Sequence, residues 1–187
     1  MKADRYRWYS YGREAASDER GVLTLLHEKV DQTLFRLKEA CLAVYGSRLV
    51  SLVVFGSVGR GTPRFDSDID LLLVADDLPR GRLKRVHEFA RVEEKLCPWF
   101  EELSALGLDF SLSPVFKTPA EVEAGSLLFL DMIDDRRILY DRKDFFASYL
   151  ERLARRLREL GAYKVQEGSR WHWVLKPDYR PGEVFEI

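Results

Sequence analysis

Apolar residues recur at three- and four-residue steps through Leu23, Leu26, Val30, Leu34, Leu37, Cys41 and Val44. That spacing predicts an amphipathic helix from about Val22 to Tyr45, ended by Gly46. The continuous apolar run Leu49 to Phe55 then predicts a strand buried on both faces. A second strand is expected over Ile69 to Val74, followed by a D-D-L-P-R-G turn and a helix from roughly Leu83 to Leu96, closed by Pro98. Between Leu106 and Ser113 the period changes to two. Leu106, Leu108, Phe110 and Leu112 alternate with Gly107, Asp109, Ser111 and Ser113, which predicts a strand with one polar face.

Further on, Thr118-Pro119-Ala120-Glu121 carries a helix-start signature of cap, proline at the first position and glutamate three residues on. It predicts a short helix over Pro119 to Ala124, with another turn or two over Leu127 to Met132 and a brief strand over Arg137 to Tyr140. Asp144 to Leu160 reads as a charged amphipathic helix with Phe145, Tyr149, Leu153, Leu157 and Leu160 on one side. The tryptophan-rich ending reads as a short strand or extended tail.

At 187 residues the chain is long enough for one domain with a real core. It divides into an N-terminal arm and helix (1–46), a core (47–141), and a C-terminal helix and tail (142–187). Apolar residues make up 46% and charged residues 33%, as in a soluble globular protein. A formal net charge of −1 gives no global attraction to long nucleic acid, which argues against a template-bound polymerase. Cys41 and Cys97 make neither a disulfide framework nor a zinc site. With no signal peptide and no long apolar run, the expected compartment is the cytoplasm and no membrane partner is expected. Tyr6, Trp8, Tyr9 and Tyr11, interleaved with Arg5, Arg7 and Arg13, read as an arm that packs on its own domain or on a partner. Aromatics at both ends point to assembly with a second copy or another protein.

The chemistry lies between Val53 and Val74. A buried strand runs into Gly56-Ser57, and a short connection leads to a second strand bearing Asp68 and Asp70. Residues at i and i+2 of a strand share a face, about 6.5–7 Å apart. Two carboxylates so placed suit a pair of hard cations roughly 3.5–4 Å apart, the spacing of two-metal phosphoryl-transfer sites. Backbone amides of the Gly-Ser turn can face phosphate. Asp70 stands between Ile69 and Leu71, and a carboxylate in so apolar a run is costly unless a cation compensates it.

The pattern formed by Gly56, Ser57, Gly61, Ser67, Asp68, Asp70, Leu71 and Val74 resembles the DNA polymerase beta-like nucleotidyltransferase superfamily, and its minimal nucleotidyltransferases most closely. The resemblance implies an α/β fold: a small mixed sheet, flanking helices and a C-terminal helical extension. It implies that Asp68 and Asp70 bind divalent metal with a nucleoside triphosphate, that Gly56 and Ser57 hold the departing phosphates, and that a third carboxylate completes a two-metal Mg²⁺ site. Asp109 is the expected third, on the polar face of its strand, ahead of Asp131, Asp134 and Asp135 in their turn-like stretch. Ser67 and Arg60 join the nucleotide-binding set, Arg60 because a guanidinium suits bidentate phosphate contact. Two features lie outside the bare family pattern: Pro63 and Arg64 predict a very short helix after Ser57, and Phe65 makes the connection bulkier. The reaction implied is transfer of a nucleoside monophosphate, AMP from ATP, to a hydroxyl. Minimal nucleotidyltransferases accompany small helical HEPN toxins and act as antitoxins by modifying a toxin tyrosine. Rival readings are a small-molecule acceptor, for which little chain remains to build a separate domain, and an antitoxin acting by binding alone.

Other groups read as structural. His27 and His87 belong to helix surfaces, His172 points away from Trp171 and Trp173, and Arg152, Arg155, Arg156 and Arg158 form a solvated helix face beside Glu151 and Glu159.

Overall fold

The structure is a computed structural model that describes residues 15–167, 170–180 and 182–187. The aromatic-basic arm formed by Tyr6, Trp8, Tyr9 and Tyr11 lies outside the described residues.

Helix α1, Ala15–Tyr45, leads through a 3-10 turn at Gly46–Arg48 into strand β1, Leu49–Val54. The short helix α2, Gly56–Gly59, precedes β2, Asp68–Ala75; α3, Arg82–Ala105, precedes β3, Ser111–Lys117. Then come α4, Pro119–Glu123, a 3-10 turn at Leu127–Ile133, β4, Arg137–Asp141, and α5, Phe145–Glu159. Strands β5, Tyr163–Glu167, and β6, Arg170–Val174, form a separate antiparallel hairpin. The main sheet runs β3-β2-β1-β4, with β2 and β3 parallel and the other pairs antiparallel. The expected small mixed α/β sheet is the one found.

Both faces of this sheet are covered, which is why β1 is buried along its whole length. On one face Leu52, Val54, Ile69, Leu71 and Leu73 meet Leu26, Val30, Leu34 and Leu37 of α1 and Phe89, Val92 and Leu96 of α3. On the other, Val53, Leu72 and Val74 meet Phe129, Met132 and the α5 residues Phe146, Tyr149, Leu150 and Leu153. Register shifts in β1, between Leu49 and Ser51 and between Leu52 and Val53, break its strict alternation. Asp141 ties three elements together. Its carboxylate accepts from Ser51 Oγ at 2.6 Å and from the amides of Phe146 and Ala147 at 3.0 and 2.9 Å, so it caps α5 across a turn. The buried face of α5 therefore begins at Phe146 rather than at Phe145, as the spacing suggested.

Helix α3 does not stop at Pro98 but passes through it. The proline forfeits one main-chain hydrogen bond on an exposed face, while Trp99 and Leu103 beyond it are buried. Trp99 Nε1 donates to Thr33 Oγ1 at 2.9 Å and locks α3 to α1. Burial of these side chains outweighs the lost hydrogen bond. The helix ends in a Schellman motif, with Leu108 N–H on Leu103 O and Gly107 N–H on Ser104 O. Consequently Leu106 to Phe110 is not strand, and β3 starts only at Ser111. Among the described residues no helix is long and apolar enough to cross a membrane.

Candidate active site

The end of β1 is pinned beside the start of β2, because Phe55 N–H donates to Asp70 O at 3.0 Å. The chain then turns at Gly56, whose φ of +67° suits glycine, and a Cβ there would stand 2.3 Å from Asp70 Oδ2. The absent side chain at Gly56 is thus the space that Asp70 occupies. Phe55 offers no side-chain cap to α2 and no acidic residue stands in its first turn. Helix geometry leaves the amides of Gly56, Ser57 and Val58 without intrahelical acceptors. The very short helix expected after Ser57 is the helix observed.

The connection folds back on itself. Thr62 donates its N–H and its hydroxyl to Ser57 O, at 2.9 and 3.3 Å. Ser67 Oγ is buried, accepts from Arg64 N–H at 2.8 Å and lies 3.5 Å from Ser57 Oγ. Ser67 therefore sits beside Ser57, with its hydroxyl engaged in holding the loop.

Asp68 and Asp70 share one face of β2, the same face as Leu72 and Val74. The parallel register sets Asp68 opposite Ser111 and Asp70 opposite Ser113. Ser111 donates its hydroxyl to Asp68, and the Ser113 hydroxyl favours the charged form of Asp70. Burial and, secondarily, the Asp68 charge push the Asp70 carboxyl up, against the Ser113 hydroxyl and Arg60, which hold it down. A bound cation relieves both the desolvation and the like-charge repulsion, so this donor set fits a hard divalent metal.

Asp109 is the expectation that the geometry alters. It lies two residues before β3, exposed, with Ser104 Oγ donating to its Oδ1 at 2.9 Å. Its N–H donates to Phe65 O at 2.8 Å, tying it to the connection. Among the described residues no group of three or more His, Cys, Asp or Glu stands close enough to hold a metal, so Asp109 is not gathered with Asp68 and Asp70 here. Arg60 sits at the end of α2, with its Nη1 3.8 Å from Asp135 Oδ2. His27 and His172 are exposed, and Trp173 packs half-buried against the second core. The side chain of Trp171 is outside the described part of the molecule. Two open clefts of about 500 and 520 Å³, one lined by Arg48, His87 and Glu88 and the other by Asp76, Arg142 and Lys143, include neither Asp68 nor Asp70 in their walls.

Residues 34–131 match the nucleotidyltransferase domain family, a stretch that holds Gly56, Ser57, Asp68, Asp70 and Asp109. The chain belongs to this family. It is a nucleotidyltransferase. A candidate protein adenylyltransferase of Methanocaldococcus jannaschii is 30% identical over 135 residues, 71% of this chain and 86% of that one. Solved structures with partial likeness include a toxin-antitoxin with AMP-PNP, 18% identical with a TM-score of 0.37 over 72% of this chain and 92% of that one. Another is the MntA-HpeT toxin-antitoxin bearing a Tyr-to-Ala change, also 18% identical, TM-score 0.38, over 70% of this chain and 91% of that one.

Sequence reasoning placed Ser111 and Ser113 on the polar face of their strand but gave them no part in the site. The parallel register puts each directly opposite one aspartate. The signal was present in the alternation of L-D-F-S-L-S, once the strand is known to begin at Ser111.

Proposed function

We propose that this nucleotidyltransferase transfers AMP from ATP to a hydroxyl on a partner protein, a small helical HEPN toxin, and so acts as its antitoxin. The observation that carries the donor half is the contact between Gly56 and Asp70: the phosphate-facing turn and the metal-binding carboxylate are contiguous. Asp68 and Asp70 hold Mg²⁺ in this reading. When bound, Mg²⁺ shields the triphosphate charge and polarises the phosphoryl group under attack. Gly56 and Ser57 present amides to the departing pyrophosphate, Arg60 offers its guanidinium fork to the same oxygens, and Ser67 braces Ser57. Asp109, once turned from Ser104, is the third carboxylate. It lies two residues before Ser111, the β3 residue that pairs with Asp68, and in this reading it accepts the proton of the attacking hydroxyl.

A protein acceptor is supported by the name of the relative from Methanocaldococcus jannaschii and by the chain's resemblance to minimal nucleotidyltransferases. Incubation with labelled ATP, Mg²⁺ and the product of the adjacent gene tests it. Label on that protein with the wild type, and none with Asp70→Asn, is the expected result. Absence of label, with Asp70→Asn still neutralising the toxin, would leave a binding-only antitoxin and refute the transfer.

A further inference from the structure

Arg60 closes the short helix that begins at Gly56-Ser57, and three carboxylates compete for it. Its close approach is to Asp135, at 3.8 Å, longer than a hydrogen bond. It reaches Asp70 and Asp131 only as a more distant attraction that stabilises both carboxylates. Among the described residues no guanidinium N–H of Arg60 donates a hydrogen bond. A guanidinium carries five donors in a rigid planar fork. Arg60 is therefore held by charge with its donors unspent.

Asp135 is itself fixed against the turn. A Cβ on Gly59 would stand 3.1 Å from Asp135 O, so the backbone after Leu127–Ile133 seats directly on α2. Asp135 N–H donates to Asp131 O at 3.2 Å, and Arg136 caps the carbonyls of Met132 and Ile133. The neighbouring Asp134 is occupied elsewhere, bound by Lys164 of the β5–β6 hairpin at 2.6 Å, with the Lys164 ammonium over the Trp173 ring. This division leaves Asp135 to face Arg60.

We propose that Asp135 is a positioning residue for nucleotide binding: it holds the Arg60 guanidinium over the Gly-Ser turn and off Asp70, leaving its donors to the triphosphate. The inference rests on the nucleotide-binding reading above. Without the Asp135 charge, the counter-charges left to Arg60 are Asp70 and Asp131. Arg60 then turns toward these carboxylates and away from phosphate, and at Asp70 it opposes metal binding. Asp135 itself touches neither nucleotide nor acceptor in this account.

Mg·ATP affinity, measured by calorimetric titration on the full chain, tests this in a double-mutant cycle with Arg60→Ala. Asp135→Asn should weaken binding by about three- to tenfold, the loss of about one well-placed charged contact. Asp135→Glu should recover most of that, and Asp134→Asn should bind as the wild type does. In the Arg60→Ala background, Asp135→Asn should change nothing further. Equal weakening with and without Arg60 would show a merely structural effect and overturn the proposal, as would tighter binding by Asp135→Asn, which would make Asp135 a competitor of phosphate. A wild type that binds Mg·ATP with an affinity shared by Asp135→Asn overturns this inference alone. A wild type that does not bind Mg·ATP overturns the nucleotidyl-transfer reading and this inference together.

Discussion

Asp70 and Gly56 share one volume: the carboxylate of the first lies where the side chain of the second would be, with Oδ2 2.3 Å from an added Cβ. Ordinary carbon–oxygen contacts are far longer, so any side chain at position 56 must evict the carboxylate. The φ of +67° adds its own penalty for an L residue, about 1–2 kcal/mol.

Gly56→Ala should thus cost about 1–2 kcal/mol in denaturant unfolding and nearly all transfer activity. The larger effect falls on activity, because the Asp70 carboxyl can rotate aside while the fold survives. An alanine variant with wild-type turnover would break the link between the turn and the Asp70 carboxylate.

Asp70→Asn should separate stability from function in the opposite sense. Burial and Asp68 raise the Asp70 carboxyl above its ordinary range in the folded protein. A folded-state pKa above the unfolded one means that the folded chain holds the proton longer. Stability from this group is then fully present below the ordinary carboxylate pKa and is lost as pH rises through the folded value. At neutral pH, in chelator, Asp70→Asn should have the higher Tm, and the two melting curves should converge as the solution is acidified below the ordinary carboxylate range. Transfer by the variant should fall by at least about a hundredfold, the usual scale for removing an electrostatic catalytic group. A variant less stable than wild type across the whole range would contradict the strain assigned to this carboxylate.

Arg85 joins three pieces of chain. Its guanidinium donates to Pro79 O at 2.8 Å, to Phe116 O at 3.2 Å, and to both oxygens of Glu121 at 2.7 and 2.9 Å. The Glu121 side chain is 41% exposed, so solvent screens part of the pair; the two carbonyl contacts are the firmer share. Arg85→Ala should destabilise the protein by about 2–3 kcal/mol, since it leaves part-buried carbonyls without donors. The Arg85 hydrogen bond, foremost, holds the Glu121 carboxyl below its usual range. Its contribution is present above the ordinary carboxylate pKa and disappears as pH falls through the lowered value. The stability gap between Arg85→Ala and wild type should therefore narrow in acid, and a gap independent of pH would place all of it on the carbonyl contacts.

The Gly56 turn and the placement of Asp68 and Asp70 on one strand were legible because their signals are local. A Gly-Ser turn and an i, i+2 aspartate pair on an apolar strand each follow from a few neighbouring residues. The parallel pairing that sets Ser111 against Asp68 is a tertiary fact, absent from any window of sequence. Pro98 misled for a related reason: a proline reads as a stop, yet burial of Trp99 and Leu103 carries α3 beyond it. That longer helix consumes residues otherwise available to a strand, so Asp109 falls in the connection. The Arg60–Asp135 pair joins residues far apart in the chain, and no periodicity could announce it.

Which carboxylate completes the metal site is the sharpest test of the proposed chemistry. Asp109 lies in the connection two residues before β3, and its Oδ1 is engaged by Ser104. Asp131 is half-buried, and burial pushes its carboxyl up, with Asp135 adding to the rise and Lys164 and Arg60 opposing it. Among the described residues no hydrogen bond reaches its side chain. The two differ in what holds them. Asp109 needs only to exchange one hydroxyl for the cation, whereas Asp131 already has Lys164 and Arg60 as counter-charges and loses them by turning to β2. Asp109→Asn should therefore lower transfer by about a hundredfold or more and weaken Mn²⁺ binding read by electron paramagnetic resonance, with little change in Tm, because the residue is exposed. Ser104→Ala frees Asp109 and should leave transfer unchanged or raised. Asp131→Asn should retain most activity. If instead Asp131→Asn abolishes Mn²⁺ binding while Asp109→Asn does not, the third ligand comes from the turn after α4, and the strand alternation pointed to the wrong aspartate.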